Sequence, residues 1–152
     1  MTIDPVIGVI GGSGIYDIEG LEDKVWRQVA TPWGMPSDAL LFGRLGGVRC
    51  VFLPRHGRGH PLSPTHLNYR ANIDALKRSG VTDVISLSAV GSLRPELPPG
   101  HFVIVDQFID RSFAREKSFS AKVSWRTCRW RIRCARAWAT RWRARRAVSV
   151  CR

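Results

Sequence analysis

The chain has 152 residues, 44% hydrophobic and 24% charged, which suits one modest domain with a packed core and excludes a globally disordered chain. The net charge of +12 is unevenly spread: residues 1–119 carry 13 Lys and Arg against all 12 acids, and residues 120–152 carry 11 Lys and Arg with no acid. A near-neutral globular segment is thus followed by a strongly basic one. No apolar run reaches the length of a transmembrane helix. Met1-Thr2-Ile3-Asp4 offers neither the basic nor the apolar region of a secretory signal. Cys50, Cys128, Cys134 and Cys151 show no metal-type spacing, so a reduced cytoplasmic protein is expected.

Val6 to Ile10 is short, apolar and β-branched, and Gly11-Gly12-Ser13-Gly14 follows at once. This predicts a buried strand ending in a glycine turn. Leu40 to Phe42 and Val48 to Leu53 read as two strands joined through Gly46-Gly47, a hairpin signal. Ser63-Pro64-Thr65 offers capping hydroxyls ahead of a helix carrying Leu67, Ala71, Ile73 and Leu76. Lys77-Arg78 close its last turn and Gly80 stops it. Val84 to Leu87 is expected as the next buried strand. Pro95, Pro98, Pro99 and Gly100 form a loop, and Phe102 to Val105 is a further strand. Strands alternating with a helix predict an α/β domain with a largely parallel sheet.

Three of these strands end in residues suited to an anion. The glycines of Gly11-Gly12-Ser13-Gly14 let backbone N–H groups approach an oxyanion, and the edge where strands end is where open α/β sheets bind ligands. The spacing fits neither a dinucleotide fingerprint nor a P-loop, and a plain tight turn explains the run equally well. Leu53-Pro54-Arg55-His56-Gly57-Arg58-Gly59-His60 puts two arginines and two histidines directly after a strand. A guanidinium grips an oxyanion through its planar fork, and a neighbouring imidazole can donate to the same group; a solvated basic loop is the competing reading. No acidic or cysteine partner is spaced to make the histidines a metal site. Ser86 to Leu93 is a third small-residue turn, in which Ser88 could complete an anion cradle or simply turn the chain. The convergence of three such turns on one sheet edge, rather than any single motif, argues for a bound oxyanion. Asp106 and Asp110 suit strand-end or capping roles better than a paired acid/base site, for which no partner is in view.

These runs, taken in order, resemble the purine nucleoside phosphorylase family, and within it the members that act on 5′-methylthioadenosine. The matching stretches are Gly11 to Tyr16, Leu53 to His60, Asn68-Tyr69-Arg70-Ala71-Asn72, Ser88 to Leu93 and Val105 to Arg111. They span about residues 5–119. The resemblance implies a three-layer α/β/α fold, present in its N-terminal half, and a pentosyltransferase activity. Inorganic phosphate would attack the sugar C1′ of 5′-methylthioadenosine, giving adenine and 5-methylthioribose 1-phosphate. Phosphate held beneath the ring stabilises the oxocarbenium-like transition state. By the same likeness Ser13, Arg55, His56, Ser88 and Ala89 bind phosphate, and His60 lies near the sugar. No organic cofactor or metal is implied, and the full-length family is expected to form homotrimers. The purine-reading residues of the family are not found in this chain. It is therefore expected to be inactive by itself. A 6-oxopurine nucleoside phosphorylase of the same family is the first alternative.

The resemblance stops near Phe119. Residues 120–152 contain no Asp, Glu, Gly, Pro, Asn, Gln or Tyr and are rich in Arg, Ala, Trp and Cys. The expected organisation is therefore 1–119 as the N-terminal part of a phosphorylase domain and 120–152 as a basic segment translated out of frame and not natively ordered. Synonymous codons for Ser120 to Cys134, prefixed by one T, read Phe-Gly-Lys-Gly-Phe-Val-Ala-His-Val-Ser-Met-Ala-Asp-Pro-Val. That string resembles the Phe-Gly-x-Gly and His-Val-Ser-Met stretches with which the family continues. The rival reading is a module that binds nucleic acid or an anionic membrane through interleaved Arg and Trp. The lost base explains the composition more simply, so no specific nucleic acid and no membrane is expected as a partner.

Overall fold

Val6, Ile7, Val9 and Ile10 are β-branched and apolar on both sides of the chain, a pattern that only a strand covered on two faces can bury. They form β1 (Val6–Gly11), an interior strand of the main sheet in the computed structural model. That structure describes residues 4–12, 14–105, 109–113, 115–116, 118–119 and 149–151. β2 (Leu21–Arg27), β3 (Leu40–Leu45), β4 (Val48–Pro54) and β5 (Asp83–Ser86) complete the sheet in the order β2-β3-β4-β1-β5. β1 runs parallel to both β4 and β5, while β2, β3 and β4 form an antiparallel meander. The sheet is therefore mixed and not largely parallel. The antiparallel part arises where Gly46 and Gly47, with φ 56 and 79, close a two-residue turn between Leu45 and Val48. Both turn positions require positive φ, which glycine adopts without a Cβ clash.

The sequence did not announce β2. Six of its seven residues are exposed, so it lacks the alternation that marks a half-buried strand. Its pairing with β3 shifts register between Glu22 and Val25, at Asp23 with φ 52. A bulge of this kind lets an edge strand twist away from further pairing. β5 was expected to be buried, and its four residues are exposed instead. It pairs with β1 on one side only and ends the sheet.

The helix α1 (Tyr69–Arg78) follows a 3-10 turn at Pro64–His66. Its cap is Asn68, whose Oδ1 accepts from the Ala71 N–H at 3.1 Å; Ser63 makes no side-chain cap and precedes the 3-10 turn. Gly80, at φ 79, ends the helix as expected, with its N–H on the Lys77 carbonyl at 3.1 Å. The buried face carries Ala71, Asn72, Ala75 and Leu76, while Ile73 is exposed. Ile73 lies two residues past Ala71, on the far side of a 3.6-residue turn.

Strand alternation sends Val6, Leu40, Val51 and Leu53 to one face, where they pack with Ala75 and Leu76 of α1. Val9, Leu41, Cys50 and Phe52 point to the other, beneath Leu21 with Ile15, Tyr16 and Ile18 against them. Desolvation raises the pKa of the buried Cys50 thiol, so it stays protonated and unreactive.

Asn72 is the buried polar residue of this core. Its Oδ1 accepts from the Ser37 N–H at 2.7 Å and its Nδ2 donates to Ser37 Oγ at 2.9 Å. Asn68 Nδ2 adds a bond to the Trp33 carbonyl at 2.7 Å. The two asparagines thus fasten the loop before β3 to the start of α1. Asn72→Ala is expected to destabilise the fold by about 1–3 kcal/mol, because Ser37 loses both partners. The check is urea unfolding, with a lowered midpoint at unchanged slope.

By contact density the chain divides into Met1–Ala89 with Ala114–Phe119, and Val90–Phe113 with Ser120–Arg152. The first unit holds the five-stranded sheet and α1. In the second, β6 (Val103–Val105) pairs in parallel with β7 (Ser149–Cys151). Among the described residues no helix is long and apolar enough to cross a membrane.

Candidate active site

β1, β4 and β5 are mutually parallel, so their C-terminal ends lie at one edge of the sheet. Gly11 is level with Pro54, and Ile10 with Ser86. Two backbone bonds carry the alignment past the strands: Arg55 N–H to the Gly11 carbonyl at 3.1 Å, and Leu87 N–H to the Ile10 carbonyl at 2.8 Å. The three turns read from the sequence therefore meet where strand order reverses about β1, the position at which open α/β sheets take ligands.

Arg55 lies across this edge. Its Nη1 donates to Ser88 Oγ at 2.7 Å and reaches the Leu87 carbonyl at 3.5 Å. Its Nε donates to His56 Nε2 at 3.0 Å, and His56 Nδ1 bonds to the Leu62 carbonyl at 2.9 Å. Residues 54–62 form a closed loop: Gly57 N–H bonds to the Pro54 carbonyl at 2.9 Å and Leu62 N–H to the His56 carbonyl at 3.2 Å. His60, exposed at φ 57, stacks on His56 with ring centroids 5.4 Å apart and planes 13° apart. Arg55, His56, His60 and Ser88 are thereby brought together. Ala89 follows Ser88 on the exposed chain beyond β5. Ser13 lies outside the described residues.

The second arginine of the loop faces elsewhere. Arg58 grips Asp38 through Nε to Oδ2 at 3.0 Å and Nη2 to Oδ1 at 3.1 Å, and its backbone N–H donates to Oδ2 at 2.7 Å. Its guanidinium also covers the Trp26 ring at 4.4 Å. Loop composition alone could not separate the two arginines, because Asp38 is 20 residues away in sequence. Burial raises the Asp38 pKa, but the hydrogen bonds from Arg58 and Ala39, with the Arg58 charge, outweigh it and leave the pKa lowered. The pair's stabilisation is therefore present above the unfolded aspartate value and lost as pH falls through the lower folded value. We predict that Asp38→Asn lowers stability by about 0.5–1 kcal/mol at pH 7. The gap from wild type should close below about pH 4 in thermal unfolding scans.

Asp110 accepts from the Ser112 N–H at 2.9 Å and from its hydroxyl at 2.5 Å, an Asx-type turn; Asp106 lies outside the described residues. Among the described residues no group of three His, Cys, Asp or Glu side chains is placed to hold a metal ion.

A family model described as "Phosphorylase superfamily" matches residues 6–145, running into the basic segment. The chain belongs to the phosphorylase superfamily. S-methyl-5′-thioadenosine phosphorylase of Cereibacter sphaeroides is 72% identical over 114 residues, which are 75% of this chain and 39% of that protein. The Rhodospirillum rubrum protein of the same name is 66% identical over 118 residues, 78% of this chain and 40% of its own. Among solved structures, a methylthioadenosine phosphorylase from an antarctic soil metagenomic library superposes with a TM-score of 0.73 at 45% identity, covering 79% of this chain and 42% of that one. The methylthioadenosine phosphorylase of Schistosoma mansoni in complex with adenine gives 0.70 at 48% identity, covering 78% and 43%. The chain thus spans about two fifths of the length of these relatives. The α/β class read from the sequence is that of these phosphorylases.

Proposed function

We propose that this chain carries the phosphate half of a 5′-methylthioadenosine phosphorylase site. One observation carries the reading: three parallel strand ends meet at a guanidinium whose orientation is set on two sides, by His56 and by Ser88. Ser13, Arg55, His56, Ser88 and Ala89 form the phosphate site on this reading, and His60 lies toward the sugar. Phosphate attacks C1′ as the bond from C1′ to the purine nitrogen breaks, the electron pair leaving with the base. The charge on phosphate opposes the positive charge that grows on the ring. Inorganic phosphate is the co-substrate, and the nucleophile needs neither metal nor organic cofactor. The complete enzyme is a cytoplasmic homotrimer on the same reading. The relatives' names favour 5′-methylthioadenosine over a 6-oxopurine nucleoside.

We further propose that residues 120–152 are an out-of-frame reading of the segment that continues the site. Their composition and the one-base shift that returns Phe-Gly-Lys-Gly support it. The 152-residue chain would then bind one reactant and release no base, since the family's purine-reading residues are not matched in its sequence. The test is calorimetric titration of the purified chain with inorganic phosphate, paired with an assay for adenine release. Saturable phosphate binding without adenine release is the expected result. No binding overturns the phosphate reading, and phosphate-dependent adenine release overturns the inactive one.

A further inference from the structure

We propose that His56 is the positioning residue of Arg55, holding the guanidinium in place through its ring, whose two nitrogens give the anion no hydrogen bond. The inference rests on the phosphate reading above and assigns His56 its part in that site. The Leu62 oxygen is a carbonyl and can only accept, so the His56 Nδ1 that meets it at 2.9 Å carries the proton. The Arg55 Nε–H can only donate, so the His56 Nε2 that meets it at 3.0 Å presents a lone pair. The two contacts independently require the same neutral tautomer. Each ring nitrogen is then engaged, and donation to an anion would break one of these bonds.

The surroundings keep the ring in this attitude. The Leu62 N–H returns to the His56 carbonyl at 3.2 Å, so the same two residues are tied in both directions. His60 stacks against the ring face. Arg55 is in turn held at Nε by His56 and at Nη1 by Ser88 and Leu87. Among the described residues these contacts leave the two N–H groups of Nη2 for a ligand. A guanidinium oriented in advance loses less entropy on binding, and that is what a positioning residue contributes.

The test uses the full chain, its His56→Gln and His56→Ala variants and inorganic phosphate as the probe. A glutamine can accept from Arg55 Nε and donate to Leu62 through its amide; an alanine can do neither. Nitrogen-15 spectra of the wild-type histidine rings should show His56 as the Nδ1–H tautomer. The Arg55 Nε–H resonance should exchange slowly in wild type and in His56→Gln, and rapidly in His56→Ala. Phosphate affinity should fall roughly tenfold in His56→Ala and stay within about threefold of wild type in His56→Gln. An Nε2–H tautomer overturns the proposal, as does a His56→Gln loss as large as that of alanine, or a His56→Ala affinity equal to wild type. If His56→Ala does not fold, the wild-type tautomer and the His56→Gln titration decide. A wild type that binds no phosphate overturns the phosphate reading, and the ring and Nε–H spectra still judge the pairing of His56 with Arg55.

Discussion

Arg55→Ala is expected to weaken binding of inorganic phosphate by roughly 10- to 150-fold, the equivalent of about 1.5–3 kcal/mol for a hydrogen bond to a charged group. The fold should survive, because the Arg55 side chain lies at the sheet edge and is only half-buried. Its backbone N–H, which bonds to Gly11, is retained by alanine. Arg55→Lys keeps the charge and loses the fork that reaches His56 and Ser88 together, so it should recover only part of the affinity. Arg58→Ala serves as the contrast, since that guanidinium is occupied by Asp38 and Trp26. It should leave phosphate affinity within about twofold while reducing stability only slightly, as expected for an exposed ion pair. Calorimetric titration at constant ionic strength checks all three variants. An Arg55→Ala chain that binds phosphate as tightly as wild type would remove the central element of the proposed site.

Adding one base ahead of the Ser120 codon is expected to have the largest functional effect, from no adenine release to phosphate-dependent cleavage of 5′-methylthioadenosine. The expectation rests on which half of the chemistry residues 1–119 contain. On the proposed reading they supply a site for the nucleophile, and the leaving purine needs a proton and a base pocket from elsewhere. The restored reading begins Phe-Gly-Lys-Gly-Phe-Val-Ala-His-Val-Ser-Met, in register with the resemblance that ends near Phe119. Sequencing the source DNA across the codons for Ser118 to Lys122 checks the frame, and expression of the restored gene checks the activity. If the frame stands as written, the basic segment is a genuine feature and salt-dependent RNA binding becomes its assay.

Periodicity and glycine placement made much of the first unit legible without a structure. β1, β4 and the turn at Gly46-Gly47 follow from apolar runs and from a dipeptide that tolerates positive φ at both positions. α1 was readable from its cap-to-glycine span, although the cap moved from Ser63 to Asn68 and Asn72 took the inward position that Ile73 does not. β2 was invisible because an exposed, bulged edge strand has no alternation to detect. β5 looked buried because Val84, Ile85 and Leu87 are apolar, and composition does not say whether a neighbouring element covers a strand. The resemblance to the phosphorylases survived these errors, since it rests on the turns and not on the strands between them.

The residue types at the three turns, the charge imbalance at residue 119 and the family membership were determined by the sequence alone, because each is a property of local order along the chain. Which groups meet was decided only by the tertiary structure. Parallel pairing of β1 with β4 and β5 brings residues near 11, 55 and 88 to one edge, a long-range fact that no local pattern encodes. The same folding separates two arginines three residues apart, giving Arg58 to Asp38 and leaving Arg55 between His56 and Ser88. It also fixes the His56 tautomer, because a carbonyl six residues onward folds back to meet one ring nitrogen while a guanidinium meets the other.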